Sequence, residues 1–185
     1  AGNRAKLLTS KLLAFSRKQI SDLKPCLINS LLLRDQAMLE KTLTAKIQFT
    51  LNMQEDLWFS LIDEEMLADS ILNICINAMH AMPAGGKLEI STKNIYLDGD
   101  ALENRNITKG DYVKLTIKDN GSGIESSVLE QVFEPFFSTK CESGTGLGMS
   151  QVYGFIKQSK GSIRLESELG QGTQIRSEER RVGKE

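Results

Sequence analysis

Apolar residues recur at intervals of three and four along several stretches of the chain, and this spacing predicts amphipathic helices. The most regular stretch covers residues 63–82, where acidic residues fill the first turn and the sequence PAGG follows the last. Its apolar stripe consists of Met66, Leu67, Ile71, Ile74 and Ala78. Further helices are predicted over residues 27–44, 126–135 and 148–160.

Between these helices, apolar and polar residues alternate, which predicts β-strands. The predicted strands cover residues 46–52, 57–62, 87–97, 111–121, 162–168 and 173–175. Strands that are interleaved with a few helices in this order predict an α+β fold, a two-layer sandwich with helices on one face of the sheet.

The N-terminal stretch places Ala5, Leu8, Leu12 and Phe15 at 3-4-3 spacing, with basic residues between them. This narrow seam is typical of a helical hairpin or a coiled-coil partner. An amphipathic helix that packs on its own domain fits the same spacing.

The bulk composition is that of an ordinary globular protein. The 185 residues are 40% hydrophobic and 25% charged, which suits one main domain with an appendage. The formal net charge of −1 gives no electrostatic reason to expect nucleic acid or an anionic membrane as a partner. The three cysteines are far apart, which argues against a zinc site or a disulfide framework. The chain starts with neither a signal peptide nor methionine, so we expect it to be a fragment.

Glycines are concentrated in the stretch KCESGTGLGMS, residues 140–150, before a predicted helix. Glycine clusters at helix starts often bind phosphate, since backbone N–H groups can then approach an anion closely. No lysine follows with Walker spacing, and the preceding stretch FEPFFSTKCES is not the strand that a dinucleotide fingerprint requires. Taken alone, the stretch indicates a phosphate site only weakly.

Two asparagines, Asn73 and Asn77, are four residues apart and therefore share one face of the long predicted helix. They could be buried side chains that bond neighbouring backbone. They could equally offer neutral oxygen ligands to Mg²⁺ beside a triphosphate.

Two further motifs are also ambiguous. DNGSGI, residues 119–124, follows a predicted strand and reads either as an ordinary turn or as a site where a ligand lies against the backbone. In the second case its carboxylate would accept a hydrogen bond from an exocyclic amino group. FEPFFSTK, residues 133–140, carries aromatic residues that belong either to the core or to a hydrophobic hinge.

In order, NAMHAMPAGG, DNGSGI, FEPFFSTK, GTGLGMSQVYGFIKQSKGSI and GQGT resemble the N, G1, F, G2 and final Gly-Thr boxes of sensor histidine kinases. The resemblance covers residues from about 45 to 175 and implies the Bergerat-type ATP-binding fold that is shared with gyrase, Hsp90 and MutL. The amino-acid sequences of these boxes look most like those of kinases of the nitrogen-regulation and PAS-linked hybrid types. The N-terminal LLTSKLLAFSRKQ is similar to the second helix of a dimerisation and phosphoacceptor hairpin.

The resemblance implies a role for each matching residue. Asn77 would coordinate Mg²⁺ and Asn73 would assist at the phosphates, which makes both catalytic. His80 stands where relatives often place a basic residue that faces the γ-phosphate. Asp119 would bind the adenine amino group, the lid glycines would fold over the triphosphate, and Leu147 would close on the nucleotide. The residues implied to bind ATP are Asn73, Asn77, His80, Asp119, Gly121, Gly123, Ile124, Lys140, Gly144, Thr145, Gly146, Leu147, Gly148 and Thr173.

The implied function is transfer of the ATP γ-phosphoryl group to a histidine, for relay to an aspartate of a response regulator receiver domain. ATPases of the superfamily place a water-activating glutamate where this chain has Asn73, which cannot act as a general base. The only histidine, His80, lies within the nucleotide motif, so the acceptor is expected on a hairpin helix upstream of Ala1. The resemblance further implies a homodimer and a cytoplasmic location. The alternatives are a hydrolytic or conformational ATPase and a non-catalytic nucleotide-binding or dimerisation module.

These inferences divide the chain into four parts. Residues 1–20 are assigned to the hairpin helix, 21–44 to a linker and first helix, and 45–175 to the ATP-binding domain with a truncated last strand. The tail 176–185, RSEERRVGKE, matches the translation of a common sequencing adapter. We therefore expect this tail to be an artefact that packs poorly, although a solvated natural tail has the same charge pattern.

Overall fold

The computed structural model describes residues 22–98, 108–138 and 145–183. The predicted N-terminal helix over residues 1–20 lies outside these ranges. The described elements, in chain order, are β1 (Lys24–Cys26), α1 (Ile28–Thr42), β2 (Ile47–Met53), β3 (Ser60–Ile62), α2 (Glu64–Ala81), β4 (Gly86–Leu97), β5 (Gly110–Asp119), a 3₁₀ helix (Ser126–Phe133), α3 (Gly148–Gln158), β6 (Ser162–Glu168) and β7 (Gly172–Arg180).

The main sheet has five strands in the order β2-β4-β5-β7-β6. β2 runs parallel to β4, whereas the other neighbours are antiparallel, so the sheet is mixed. β1 and β3 form a separate two-stranded sheet in which Pro25 is opposite Leu61. The sequence did not predict β1, because proline is rare in strands other than at sheet edges.

The helices α2 and α3 pack on one face of the main sheet. Alternate residues of β5, among them Leu115 and Ile117, are buried and contact the apolar stripe of α2. The predicted stripe is correct in register, since Leu67, Ile71 and Ile74 are buried. The predicted α+β sandwich with helices on one face is therefore confirmed.

Helix α2 begins where the sequence supplies a cap. The Asp63 side chain accepts the backbone N–H of Met66 at 3.1 Å, and a cap of this kind contributes about 1 kcal/mol to helix stability. The same carboxylate accepts the N–H of Asp22 at 3.0 Å through its other oxygen. These bonds fix the start of the helix that carries both candidate asparagines.

The C-terminal segment differs from the prediction. β7 does not end near Ile175 but continues to Arg180, between β5 and β6. Backbone pairing with two neighbouring strands orders this stretch, because ladder hydrogen bonds do not require particular side chains. The prediction of a truncated strand and a poorly packed tail is thus wrong, while the artefactual origin of residues 176–185 stays a prediction.

The extension nevertheless places acidic side chains inside the protein. Glu178 and Glu179 are both buried, and Glu179 has no exposed surface. The pKa of Glu179 is raised to about 8, chiefly because the carboxyl group is buried; the Ser177 hydroxyl opposes this shift, and the neighbouring Glu178 charge adds to it. A fully buried carboxyl group is costly to ionise, so this strand end is poorly matched to its position.

No helix in the described ranges is long and apolar enough to cross a membrane.

Candidate functional site

A cavity of about 390 Å³ opens beside the α2 face of the sheet, a size suited to a small-molecule ligand. Its floor is apolar and comes from the sheet, with Ile117 of β5 and Ile175 of β7. Its polar side chains come from α2, from the end of β5, from the start of β7 and from the loops between elements, while the start of α3 contributes Gly148 and Met149. The site is therefore assembled from four elements that are distant in sequence.

Helix α2 supplies three polar side chains to the cavity. Asn73, Asn77 and His80 all line it, as their spacing on one helical face predicts. No side-chain hydrogen bond joins Asn73 or Asn77 to the part of the chain that the structure describes. This arrangement favours ligand-binding asparagines over asparagines that satisfy nearby backbone.

The start of α3 lies against these asparagines. A Cβ atom placed on Gly148, the first residue of α3, would be 3.7 Å from the Asn73 Oδ1. Leu147, the N-cap residue, makes no side-chain capping bond. The first N–H groups of α3 can therefore bind an anion, and the helix dipole favours negative charge at the same point.

Asp119 ends β5 and is only 8% exposed. Its Oδ1 accepts two backbone N–H groups, from Gly121 at 2.8 Å and from Thr173 at 3.3 Å. Burial raises the pKa of Asp119, and these two hydrogen bonds partly oppose the shift. Both hydrogen bonds go to Oδ1, so Oδ2 can accept a hydrogen bond from a ligand in the cavity.

The loop after Asp119 packs closely on the β6–β7 turn. Gly123 has φ +67°, and a Cβ there would lie 2.0 Å from the Glu168 carbonyl oxygen. Only glycine fits this approach. It brings Gly123 and Ile124 to the cavity wall, beside Thr173.

The segment before α3 is tied to the FEPFF motif. Thr145 and Gly146 line the cavity, and the Phe136 N–H donates to the Gly146 carbonyl oxygen at 2.9 Å. Phe133 packs on Tyr153 of α3 with ring centroids 5.2 Å apart, while Phe136 is 62% exposed. Phe133 thus packs on the domain, whereas Phe136 is exposed to solvent.

The structure brings most of the predicted site residues together. Those that line the cavity are Asn73, Asn77, His80, Asp119, Gly123, Ile124, Thr145, Gly146, Gly148 and Thr173. Gly121 does not line it, but its N–H holds Asp119. Leu147 does not line it either: its side chain is 2% exposed, so the expectation that Leu147 closes on the nucleotide is not supported. Lys140 and Gly144 lie outside the described residues.

Most of the apolar lining of the cavity, including Ile117, Ile175 and Leu165, was not predicted from the sequence. Strand alternation could have identified two of them. Ile117 precedes Asp119 by two residues and Ile175 follows Thr173 by two, so each shares a sheet face with its polar neighbour.

The donor set of the cavity fits Mg²⁺ bound together with a phosphate ligand. Within the described ranges, no group of three or more His, Cys, Asp or Glu residues could hold a metal ion. Mg²⁺ often keeps several waters and takes one or two protein oxygens plus phosphate oxygens. The Asn77 side-chain oxygen, with Asn73 one turn away, could supply such a ligand.

Comparison with known proteins identifies relatives of this chain. A family model described as histidine kinase-, DNA gyrase B-, and HSP90-like ATPase matches residues 62–178. The chain is 42% identical over 175 residues to the sensor kinase CckA of Brucella abortus, covering 92% of this chain and 18% of that protein. It is 33% identical over 163 residues to the signal transduction histidine-protein kinase AtoS of Escherichia coli, covering 88% of this chain and 24% of that protein. The chain thus spans under a quarter of either relative.

Solved structures share the fold at lower identity. The mycobacterial sensor histidine kinase MprB superposes with a TM-score of 0.67 at 22% identity, over 86% of this chain and 99% of that chain. The histidine kinase ThkA in complex with the response regulator protein TrrA superposes with a TM-score of 0.69 at 17% identity, over 97% of this chain and 48% of that chain.

Proposed function

This chain belongs to the family of histidine kinase-, DNA gyrase B- and HSP90-like ATPases, and we propose that it donates the ATP γ-phosphoryl group to a histidine of a sensor kinase hairpin. The resemblance to the ATP-binding domain of sensor histidine kinases is confirmed by the relatives described above, whereas the nitrogen-regulation or PAS-hybrid subtype stays a prediction. One observation carries the proposal: Asn73 and Asn77 share a single cavity with Asp119 and with the start of α3.

The arrangement supports a defined orientation for ATP. Asp119 presents a carboxylate oxygen that would accept the adenine amino group, and Ile117 and Ile175 supply an apolar surface for the base. The triphosphate would then lie toward Asn73, Asn77 and the N–H groups that begin α3. His80, which also lines the cavity, would face the same phosphates.

Mg²⁺, held by Asn77 and the phosphates, would offset negative charge on the transferring group. The residues of this chain contribute positioning and electrostatics, since phosphoryl transfer requires little covalent chemistry from the protein. In the transfer itself, an imidazole nitrogen of the acceptor histidine bonds to the γ-phosphorus. The bond from that phosphorus to the β–γ bridging oxygen breaks, ADP leaves with this oxygen, and the imidazole proton passes to solvent.

Transfer to histidine is favoured over hydrolysis by the side chains around the cavity. Among the described residues that line it, Asp119 is the one carboxylate, and its Oδ1 already accepts two backbone N–H groups. Asn73 occupies the position one turn before Asn77 where a water-activating acid would be needed, and an amide cannot act as a general base.

The proposal includes the partners of the reaction. The acceptor would be a histidine-containing hairpin of the same or a partner kinase, and the parent protein would be a homodimer that passes the phosphoryl group to a response regulator receiver domain. A structural neighbour, ThkA, was solved in complex with a response regulator, which supports a partner of this class. The ATP-binding domain would lie in the cytoplasm, where ATP is available.

The test is a transfer assay with the chain, Mg²⁺, ATP labelled at the γ-phosphate, and a separately produced kinase hairpin with a single histidine. We expect acid-labile label on the hairpin, and none on a hairpin whose histidine is replaced by glutamine. Rapid phosphate release without a hairpin would instead indicate a hydrolytic ATPase. Tight ATP binding without transfer, under conditions where an intact kinase labels the same hairpin, would indicate a non-catalytic binding module.

A further inference from the structure

Ser167, near the end of β6, makes three polar contacts that converge on the base end of the cavity. Its hydroxyl donates to the Gly172 carbonyl oxygen at 2.8 Å and accepts the Ile124 N–H at 2.9 Å. The same oxygen lies 2.9 Å from the Thr173 hydroxyl oxygen. Ser167 is half-buried and does not itself line the cavity, but both Ile124 and Thr173 do.

The direction of each hydrogen bond follows from counting protons. A serine hydroxyl has one proton and two acceptor lone pairs. The Gly172 carbonyl can only accept and the Ile124 N–H can only donate, so the Ser167 proton goes to Gly172. Thr173 must then be the donor in the bond between the two hydroxyls. If Ser167 donated to Thr173 instead, no proton would lie between the Ser167 and Gly172 oxygens, which are 2.8 Å apart.

This direction determines what Thr173 can offer a ligand. Its single proton is committed to Ser167, so toward the cavity its hydroxyl can only accept. Asp119, whose Oδ1 also accepts the Thr173 N–H, is a second acceptor in the same wall. An exocyclic amino group has two protons, so two acceptors match the amino group of adenine and disfavour the carbonyl oxygen that hypoxanthine has at the same position.

We propose that Ser167 is a positioning residue that sets adenine selectivity by orienting the Thr173 hydroxyl. The inference rests on the nucleotide-binding function proposed above and adds the determinant of base specificity to it. The surrounding backbone supports the role, because the Gly170 N–H donates to the Ser122 carbonyl oxygen at 2.7 Å. That bond holds the β6–β7 turn against the Asp119 loop without Ser167, so removal of the hydroxyl leaves the loop attached.

The experiment compares ADP with inosine diphosphate, because the two differ at the base and share the diphosphate. Dissociation constants are measured by calorimetry for the wild-type chain and for S167A, S167C and S167T. The matched control is S91A, which removes another half-buried strand serine, on β4. We expect the wild-type chain and S91A to prefer ADP. The measure of selectivity is the dissociation constant for inosine diphosphate divided by that for ADP. S167A is expected to reduce this ratio by roughly five- to tenfold, as loss of one hydrogen bond would.

The conservative variants separate positioning from a general structural role. S167T keeps a hydroxyl and should retain the wild-type ratio, whereas S167C, with a weak donor, should lose much of it and covers the case in which S167A does not fold. In a T173V background, S167A should change the ratio no further, because Ser167 acts through Thr173.

Three results would overturn the inference: an unchanged ratio in S167A and S167C, an equal loss of affinity for both nucleotides, or no preference for ADP in the wild-type chain. Failure of the wild-type chain to bind either nucleotide would instead refute the proposed function. The two failures are therefore distinguishable.

Discussion

The N–H of Phe136 donates to the carbonyl oxygen of Gly146 at 2.9 Å, and both residues adopt left-handed φ angles, 67° and 66°. This bond joins the FEPFF motif to the segment that enters α3. A Cβ on Gly146 would lie 2.4 Å from the Phe136 carbonyl carbon, closer than real contacts allow. The position therefore requires glycine for its backbone angle and for its contact.

Substitution G146A should weaken ADP binding about tenfold or more, because the strained backbone shifts and moves the cavity wall formed by Thr145 and Gly146. The free energy of unfolding should fall by roughly 1–3 kcal/mol, because alanine is strained at this backbone angle and meets the Phe136 backbone, but the fold should persist because the change is confined to one turn. Calorimetric titration and denaturant unfolding measure the two effects. The control is G154A within α3, where a Cβ has open space and alanine should stabilise the helix by about 1 kcal/mol. Equal ADP affinity in G146A and wild type would show that this segment does not shape the nucleotide site.

Substitution D119N should abolish most adenine recognition. If the amide oxygen keeps the two backbone N–H bonds at the Oδ1 position, the amide nitrogen takes the place of Oδ2 and presents a donor to the adenine amino group. Two facing donors cannot bond, so the ADP dissociation constant should rise by about a hundredfold, or roughly 3 kcal/mol. The exposed Asp69 on α2 provides the control, since D69N should bind ADP normally. Retained affinity in D119N would place the base elsewhere in the cavity.

Substitution N77A should remove the dependence of ATP affinity on Mg²⁺. In the wild-type chain, adding a chelator should weaken ATP binding, because Asn77 would hold the metal that neutralises charge on the phosphates. In N77A, the affinities with and without chelator should agree within about twofold, since the protein ligand is gone. N52A, an exposed position on β2, should behave as wild type. A full chelator effect in N77A would show that another group holds the metal.

The buried Glu179 predicts an unusual pH dependence of stability. Burial raises its pKa to about 8 in the folded chain, above the ordinary value of 4.5, so the folded state keeps a proton that the unfolded state releases. The contribution of the Glu179 proton to the free energy of unfolding is complete below pH 4.5. It falls by about 1.4 kcal/mol per pH unit above pH 4.5 and is lost once the pH rises through 8. Urea unfolding between pH 5 and pH 9 measures this slope.

Two substitutions test whether Glu179 causes the slope. E179Q should flatten it while leaving stability at pH 5 little changed, and E179V should raise stability at pH 8 because it replaces a buried acid with an apolar side chain. E168Q alters an exposed glutamate at the end of β6 and should leave the slope unchanged. An identical slope in E179Q and wild type would contradict this explanation.

The periodic elements could be predicted from the sequence because their periodicity reflects burial on one face. The stripe of α2 and the alternation of β4, β5 and β6 gave segments that match the structure closely. β1 and the C-terminal half of β7 could not be predicted in this way. Their order comes from backbone pairing with neighbouring strands, and their side chains, which include Pro25 and Glu179, are those that strand propensity disfavours.

The sequence by itself determined the identity of the site's polar residues. Asn73 and Asn77 share a face through helical spacing alone, and Asp119, Gly123, Gly146 and Thr173 belong to motifs whose order indicates the family. Only the tertiary structure decided how they act together: that Oδ1 of Asp119 is occupied by two N–H groups, that Leu147 is buried, and that Ser167 directs the Thr173 hydroxyl. These relationships join residues up to 54 positions apart, and hydrogen-bond direction depends on the geometry of every partner, which local sequence does not encode.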